Sequence, residues 1–71
     1  MRVSVLEDDI GYKKDFYNYK PFLDGVALDN CLTADEEKGE CLIHPRPFRL
    51  DGYGELVREI LTGRVRIEKV G

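Results

Sequence analysis

The chain is poor in the features that would assign it quickly. No apolar run approaches the ~20 residues that a membrane-spanning helix requires. Where the apolar core of a secretion signal would lie stand Glu7, Asp8 and Asp9, so the expectation is a cytoplasmic protein with no membrane association. There is one histidine, His44, followed directly by proline, and beyond Ser4 the only side-chain hydroxyls outside tyrosine are Thr33 and Thr62. None of these carries the local signature of a nucleophile with its base. A phosphate-binding loop is missing, and Gly52-Tyr53-Gly54 is a turn rather than the start of a dinucleotide fingerprint. No internal repeat or low-complexity tract interrupts the 71 residues. A chain this short buries only about 60% of its unfolded surface, too thin a core to enclose a pocket that would retune a carboxylate for acid–base work. The expectation is one small domain, no cofactor and no enzyme activity.

Cysteine is scarce too, with only Cys31 and Cys41. In a reducing compartment both are expected as thiols. With His44 they make three soft ligands, one short of the usual structural zinc set, and enlisting Asp35 as a fourth has no motif behind it. Two small buried side chains are the plainer reading.

Charge, by contrast, is abundant. Acidic residues number 14 and basic residues 11, for a net charge of −3. Residues 1–41 carry ten acids and five bases, whereas residues 42–71 carry four acids and six bases. Arg46, Arg49, Arg58, Arg64, Arg66 and Lys69 are dispersed among Glu55, Glu59 and Glu68, as on a solvated mixed surface. Direct nucleic-acid binding, which needs clustered bases, is therefore not the favoured reading, with Arg64, Arg66 and Lys69 its weaker carrier.

The hydrophobic pattern has the period of strands. Arg2-Val3-Ser4-Val5-Leu6 alternates and reads as a strand ending in the acids at 7–9. Residues 10–20 read as a loop running into a strand, although Tyr12, Phe16 and Tyr19 also sit at helical spacing. Asp24-Gly25 lies between two apolar segments and supplies the positive φ angles of a type I′ hairpin turn. A two-residue loop pairs Leu23 with Val26, Pro21 with Leu28 and Tyr17 with Leu32. The second strand then runs through to Ala34, with Val26, Leu28, Leu32 and Ala34 on one face and Ala27, Asp29, Cys31 and Thr33 on the other. Pro21 lacks a donor, so its strand is expected at an edge. A charged turn from Ala34 to Glu40, closed by Gly39, leads into Cys41–His44; in that register Cys41 faces Ala34 or Asp35, and Cys31 faces His44 or Pro45. The offset argues against a disulfide. His44-Pro45-Arg46-Pro47 is stiff and extended, a connection or a short proline-rich ligand motif. Leu56, Val57, Ile60 and Leu61 share one helical face, which places a short helix near residues 54–62 with Gly63 as its stop. The alternative is a hairpin in which Thr62-Gly63 turns into the last strand. Arg64–Val70 alternates strongly as a last strand. The resulting expectation is an α+β, β-rich fold: a small antiparallel sheet or partly open barrel of four or five strands with that one helix.

The segment FLDGVALDNCLTADEEKGE at 22–40, followed by LTGRVRIE at 61–68, resembles small proteins encoded by tailed bacteriophages and prophages. The likeness covers about half the chain and rests on a strand–Asp-Gly–strand opening, an acidic turn after Ala-Asp and a closing Gly-Arg-Val strand; residues 1–21 form a longer lead than that pattern has. It implies a protein of the bacterial host cytoplasm that is either a virion part or an inhibitor of host machinery, including inhibitors of restriction or CRISPR complexes. The residues that suit such a contact are two acidic clusters, Glu7-Asp8-Asp9 and Asp35-Glu36-Glu37 with Glu40, together with Tyr12. If the clusters converge, a row of carboxylates with an aromatic anchor could occupy a basic channel that normally holds nucleic acid. The expected partner is a host protein or ribonucleoprotein complex, met by a monomer or small homo-oligomer. In the alternative, an edge strand, either that of Lys20-Pro21 or Arg64–Val70, joins copies of the chain into a virion or assembly component.

Overall fold

A computed structural model describes residues 1–70. Seven strands form two antiparallel sheets: β1 (Arg2–Ser4), β2 (Tyr19–Leu23), β3 (Val26–Ala27), β4 (Cys31–Asp35), β5 (Glu40–Ile43), β6 (Glu59–Thr62) and β7 (Val65–Lys69). The larger sheet has the order β1-β4-β5-β6 and the smaller one β3-β2-β7. The β-rich expectation holds, but the strands number seven rather than four or five, and they divide into two open sheets rather than one sheet or barrel. The expected helix near 54–62 is absent. Among the described residues the only helical element is a single 3-10 turn at Phe16–Asn18, and residues 59–62 are strand. The helical spacing of Leu56, Val57, Ile60 and Leu61 did not decide the matter, because Leu61 alone turns toward the core while Ile60 points outward at 60% exposure.

The Asp-Gly hairpin forms as its turn chemistry requires. Asp24 and Gly25 have φ of 50° and 82°, and Leu23 pairs with Val26 and Phe22 with Ala27. Leu28 N–H then donates to Pro21 O at 3.0 Å. The pairing stops there, and Tyr17 does not meet Leu32. Asn30 diverts the chain into the other sheet: its side-chain amide donates to His44 O at 2.6 Å and its carbonyl accepts from His44 N–H at 3.1 Å. The expected single strand from Val26 to Ala34 is thus two strands in two sheets.

β2 is not an edge, since it lies between β3 and β7. Pro21 is tolerated there because its missing donor faces the β3 side, where β3 has already ended.

The core lies between the sheets. Val3, Cys31, Ala34, Cys41 and Ile43 come from the larger sheet and Val65 from the smaller, with Phe16, Tyr19, Leu23, Leu28, Leu61 and Ile67 packed around them. A register shift between Cys31 and Thr33 puts Cys31 and Ala34 on the same core-facing side. A simple alternation would have separated them. Cys41 faces Ala34 as expected, whereas the bulge brings Cys31 opposite Ile43 instead of His44 or Pro45. Thr33 goes to the outer face, where its hydroxyl meets that of Ser4 at 2.7 Å, both side chains buried.

Candidate functional site

The acidic clusters of the sequence meet around one side chain, Arg2. β1 pairs Arg2 with Asp35, and the loop after β1 folds back on the strand: Ser4 N–H donates to Gly11 O at 3.0 Å and Lys13 N–H to Ser4 O at 3.1 Å. The Arg2 guanidinium bonds Asp9 through two nitrogens, Nε at 2.8 Å and Nη2 at 2.6 Å, while Nη1 reaches Asp35 at 3.0 Å. Such a fork fits two carboxylates at once, as lysine could not. Gly11 is required for the close approach, because a Cβ there would come within 2.8 Å of Arg2 backbone and side chain.

Each carboxylate also accepts backbone donors. Asp9 takes Gly11 N–H at 2.7 Å, and Asp35 takes those of Glu37 and Lys38, both at 2.9 Å. The bond from Arg2, then that from Gly11, holds the Asp9 carboxyl down at about 2. The Lys38 amide and Arg2 lower that of Asp35. Arg2 is in turn pushed further above its ordinary range by Asp9 and Asp35.

Glu36 is committed as well. One carboxylate oxygen meets the Met1 amino group at 3.2 Å and the other accepts the Ile67 N–H at 2.9 Å. Of the eight residues read as contact residues, Asp9, Asp35 and Glu36 therefore brace the fold. Glu7, Asp8 and Glu37 are exposed, Glu40 is half-buried beside Asp35 in the β4–β5 register, and Tyr12 is at the margin of exposure. The tyrosine-rich stretch splits likewise. Tyr12 and Tyr17 line a surface groove with Val5, Lys13, Lys14 and Phe16, while Phe16 and Tyr19 pack on the core.

The remaining chemistry-bearing groups are dispersed. His44 Nδ1–H donates to the Val57 carbonyl at 3.1 Å, and its ring stands edge-on to Phe48. Cys31 and Cys41 are free and buried. Burial first, and the neighbouring Cys41 second, push Cys31 up to about 12, and burial also raises Cys41. Asp35 is occupied by Arg2, so the three soft ligands and their imagined fourth do not converge, and among the described residues no other metal-binding cluster forms. Arg66 lies over the Phe22 ring at 4.7 Å and pairs with Glu68 at 3.0 Å. It lines an open groove of about 390 Å³ with Asp24 and Arg64, whereas Lys69 falls on the opposite face of β7 by alternation.

Two features escaped the sequence reading. Arg2 was passed over because a single arginine in an alternating strand has no signature of its own. The second is a projecting hairpin between β5 and β6. Leu50 bridges Leu56, Val57 N–H donates to Arg49 O at 2.8 Å and Asp51 N–H to Glu55 O at 2.7 Å. Asp51 organises the tip by accepting from the Tyr53 and Glu55 amides. Phe48, Leu50, Tyr53 and Leu56 are all exposed on this arm, Tyr53 at 93%. The turn at Gly52-Tyr53-Gly54 was read from the sequence and forms its tip, but the strands on either side of it were not.

No protein-family profile, curated protein or solved structure matches this chain.

Proposed function

We propose that this chain is a non-enzymatic, phage-encoded binding protein that inhibits a host protein or ribonucleoprotein complex by occupying one of its binding sites. The observation that carries this reading is the double engagement of Arg2. By holding Asp9 and Asp35 on one guanidinium, it brings the 7–9 loop and the 35–40 turn to the same end of the larger sheet. The carboxylates left over, Glu7, Asp8 and Glu37, face solvent there. Tyr12 follows on the same loop and is the aromatic anchor. A fixed negative patch of this kind steers association toward a basic surface and orients the complex, while the tyrosine supplies desolvated contact area.

The test is affinity capture from a bacterial lysate, with and without nuclease and at two salt concentrations. A single nuclease-resistant partner, lost at high salt and lost with the Glu7→Lys, Asp8→Lys, Glu37→Lys triple variant, supports the reading. Retention of that partner by the triple variant would sink the acidic contact.

A second reading, a virion or assembly component, is favoured by a different observation: one strand of the larger sheet, β6, ends it without a neighbour. Of the two edges anticipated from the sequence, the Lys20-Pro21 strand is central, whereas the Arg64–Val70 strand does lie at an edge, that of the smaller sheet.

A further inference from the structure

Among the described residues, the fold blunts three of its four sheet edges by covering, shortening or capping them. The outer edge of β1 is covered by the returning loop through the Ser4–Gly11 and Lys13–Ser4 hydrogen bonds. β3 is only two residues long. On β7, Arg64 O and Val70 N–H bond across to the β2 side, so the Ile67 amide points away from β2, and the Glu36 carboxylate caps it at 2.9 Å. These are the usual ways in which a sheet avoids pairing with another chain.

Among the described residues, β6 carries no such device. Gly63 N–H donates to Gly39 O, and by alternation Leu61 and Glu59 bond to β5. The amides and carbonyls of Arg58, Ile60 and Thr62 therefore face outward. The arm continues the same alternation, because Val57 and Glu55 bond inward to Arg49 and Asp51.

The sequence of this edge also accepts a second copy of itself in one register. In an antiparallel pair of two β6 strands, outward-facing residues must meet outward-facing residues, so only alternate registers are possible. The register that pairs Arg58 with itself sets two arginines together. The next, pairing Arg58 with Ile60, sets Glu59 against Glu59. Like charges directly opposite are destabilising. Registers that pair Ile60 or Thr62 with Thr62 carry the second copy past Gly63 to Arg64, whose N–H and carbonyl are already bonded to Asp24, so they leave a shorter ladder. The remaining register pairs Ile60 with Ile60, Glu59 with Leu61 and Arg58 with Thr62, and it contains no like-charge pair.

We propose that β6 is the contact edge of a two-fold homodimer in which two β6 strands pair antiparallel, Ile60 against Ile60 of the second copy. The proposal deepens the assembly reading by naming the strand, the register and the copy number. The ladder is short and belongs with small, transient interfaces, so dissociation lies on the order of 10–100 μM.

Two measurements on the full chain test it. Sedimentation from about 5 μM to about 500 μM is expected to show a monomer passing to a dimer. Ile60→Cys is expected to oxidise to an intermolecular disulfide, since directly opposed Cα atoms at about 5.5 Å lie within disulfide reach. Thr62→Cys, whose counterpart is Arg58, is expected not to link. Ile60→Pro removes only an outward N–H, so it is expected to weaken the dimer at least tenfold, and Ile60→Lys, which sets two ammonium groups face to face, to do the same if the proline variant does not fold. A monomer throughout the concentration range would overturn this dimer and the assembly reading together. Self-association without the Ile60→Cys link would overturn the register and leave the assembly reading standing.

Discussion

Replacing Arg2 by alanine would leave the Asp9 and Asp35 carboxylates with backbone donors alone. Bonds to charged groups contribute more than neutral ones, but these groups keep some solvent, so the expected loss is about 2 kcal/mol in urea unfolding. The same contact sets an acid limit. Asp9 titrates at about 2 in the folded chain against an ordinary 3.8, so the unfolded state binds more protons between those values. The stability it contributes, about 1–2 kcal/mol, is complete above pH 4 and is lost as pH falls through 2. Arg2→Ala should flatten that dependence, and a steep acid transition retained in the variant would show that other carboxylates govern it. The cysteines lead to a separate expectation. Raised and buried, Cys31 and Cys41 should be silent to a thiol reagent at pH 8 in the native protein and react fully in denaturant. Rapid labelling of the native chain would mean that the core opens locally.

At the level of elements, the two turns differ in what they demand of glycine. Gly25 has φ +82° and open space around it, whereas Gly39 has φ +66° and a Cβ there would lie 2.6 Å from Gly63 O. Gly25→Ala should cost about 1 kcal/mol, the ordinary left-handed penalty, and Gly39→Ala roughly 2–3 kcal/mol, because the acidic turn must also back away from the β6–β7 corner. Equal losses by thermal or urea denaturation would argue against that close packing. Asp24-Gly25 was readable in advance because its conformational requirement is local. The strand Cys31–Asp35 was readable as a strand, but its inward face was not. The bulge after Cys31 changes the parity of the side chains, and nothing in Cys31-Leu32-Thr33 records it. Residues 59–62 were misread for a related reason: four apolar residues in six fit a helix or a half-buried strand equally, and pairing with β5 decided between them.

For the whole molecule, the acidic residues separate into braces and free charges. Reversing Asp35 and Glu36 should lower the melting temperature markedly, since both hold backbone amides and a cation. Reversing Glu7, Asp8 and Glu37 should leave it nearly unchanged; circular dichroism melts of the two variants make the comparison. A triple reversal of Asp35, Glu36 and Glu37 would therefore confound binding with folding. The candidate contact set was thus half legible. Its residue types and clustering could be seen, but the arginine that draws the two clusters together could not, because Arg2 and Asp35 are 33 positions apart.

Composition and local pattern by themselves determined that this is a small, acidic, strand-rich chain with an Asp-Gly hairpin and a charged turn closed by Gly39. Those properties follow from period-two alternation and from the φ requirements of single residues, which are local. Only the tertiary structure decided that the strands divide into two sheets, that Pro21 sits in a central strand, that Asp9 and Asp35 share one guanidinium, and that β6 is the edge left open. Each depends on which distant segment lies alongside, and an alternating strand presents the same pattern to every neighbour it could pair with.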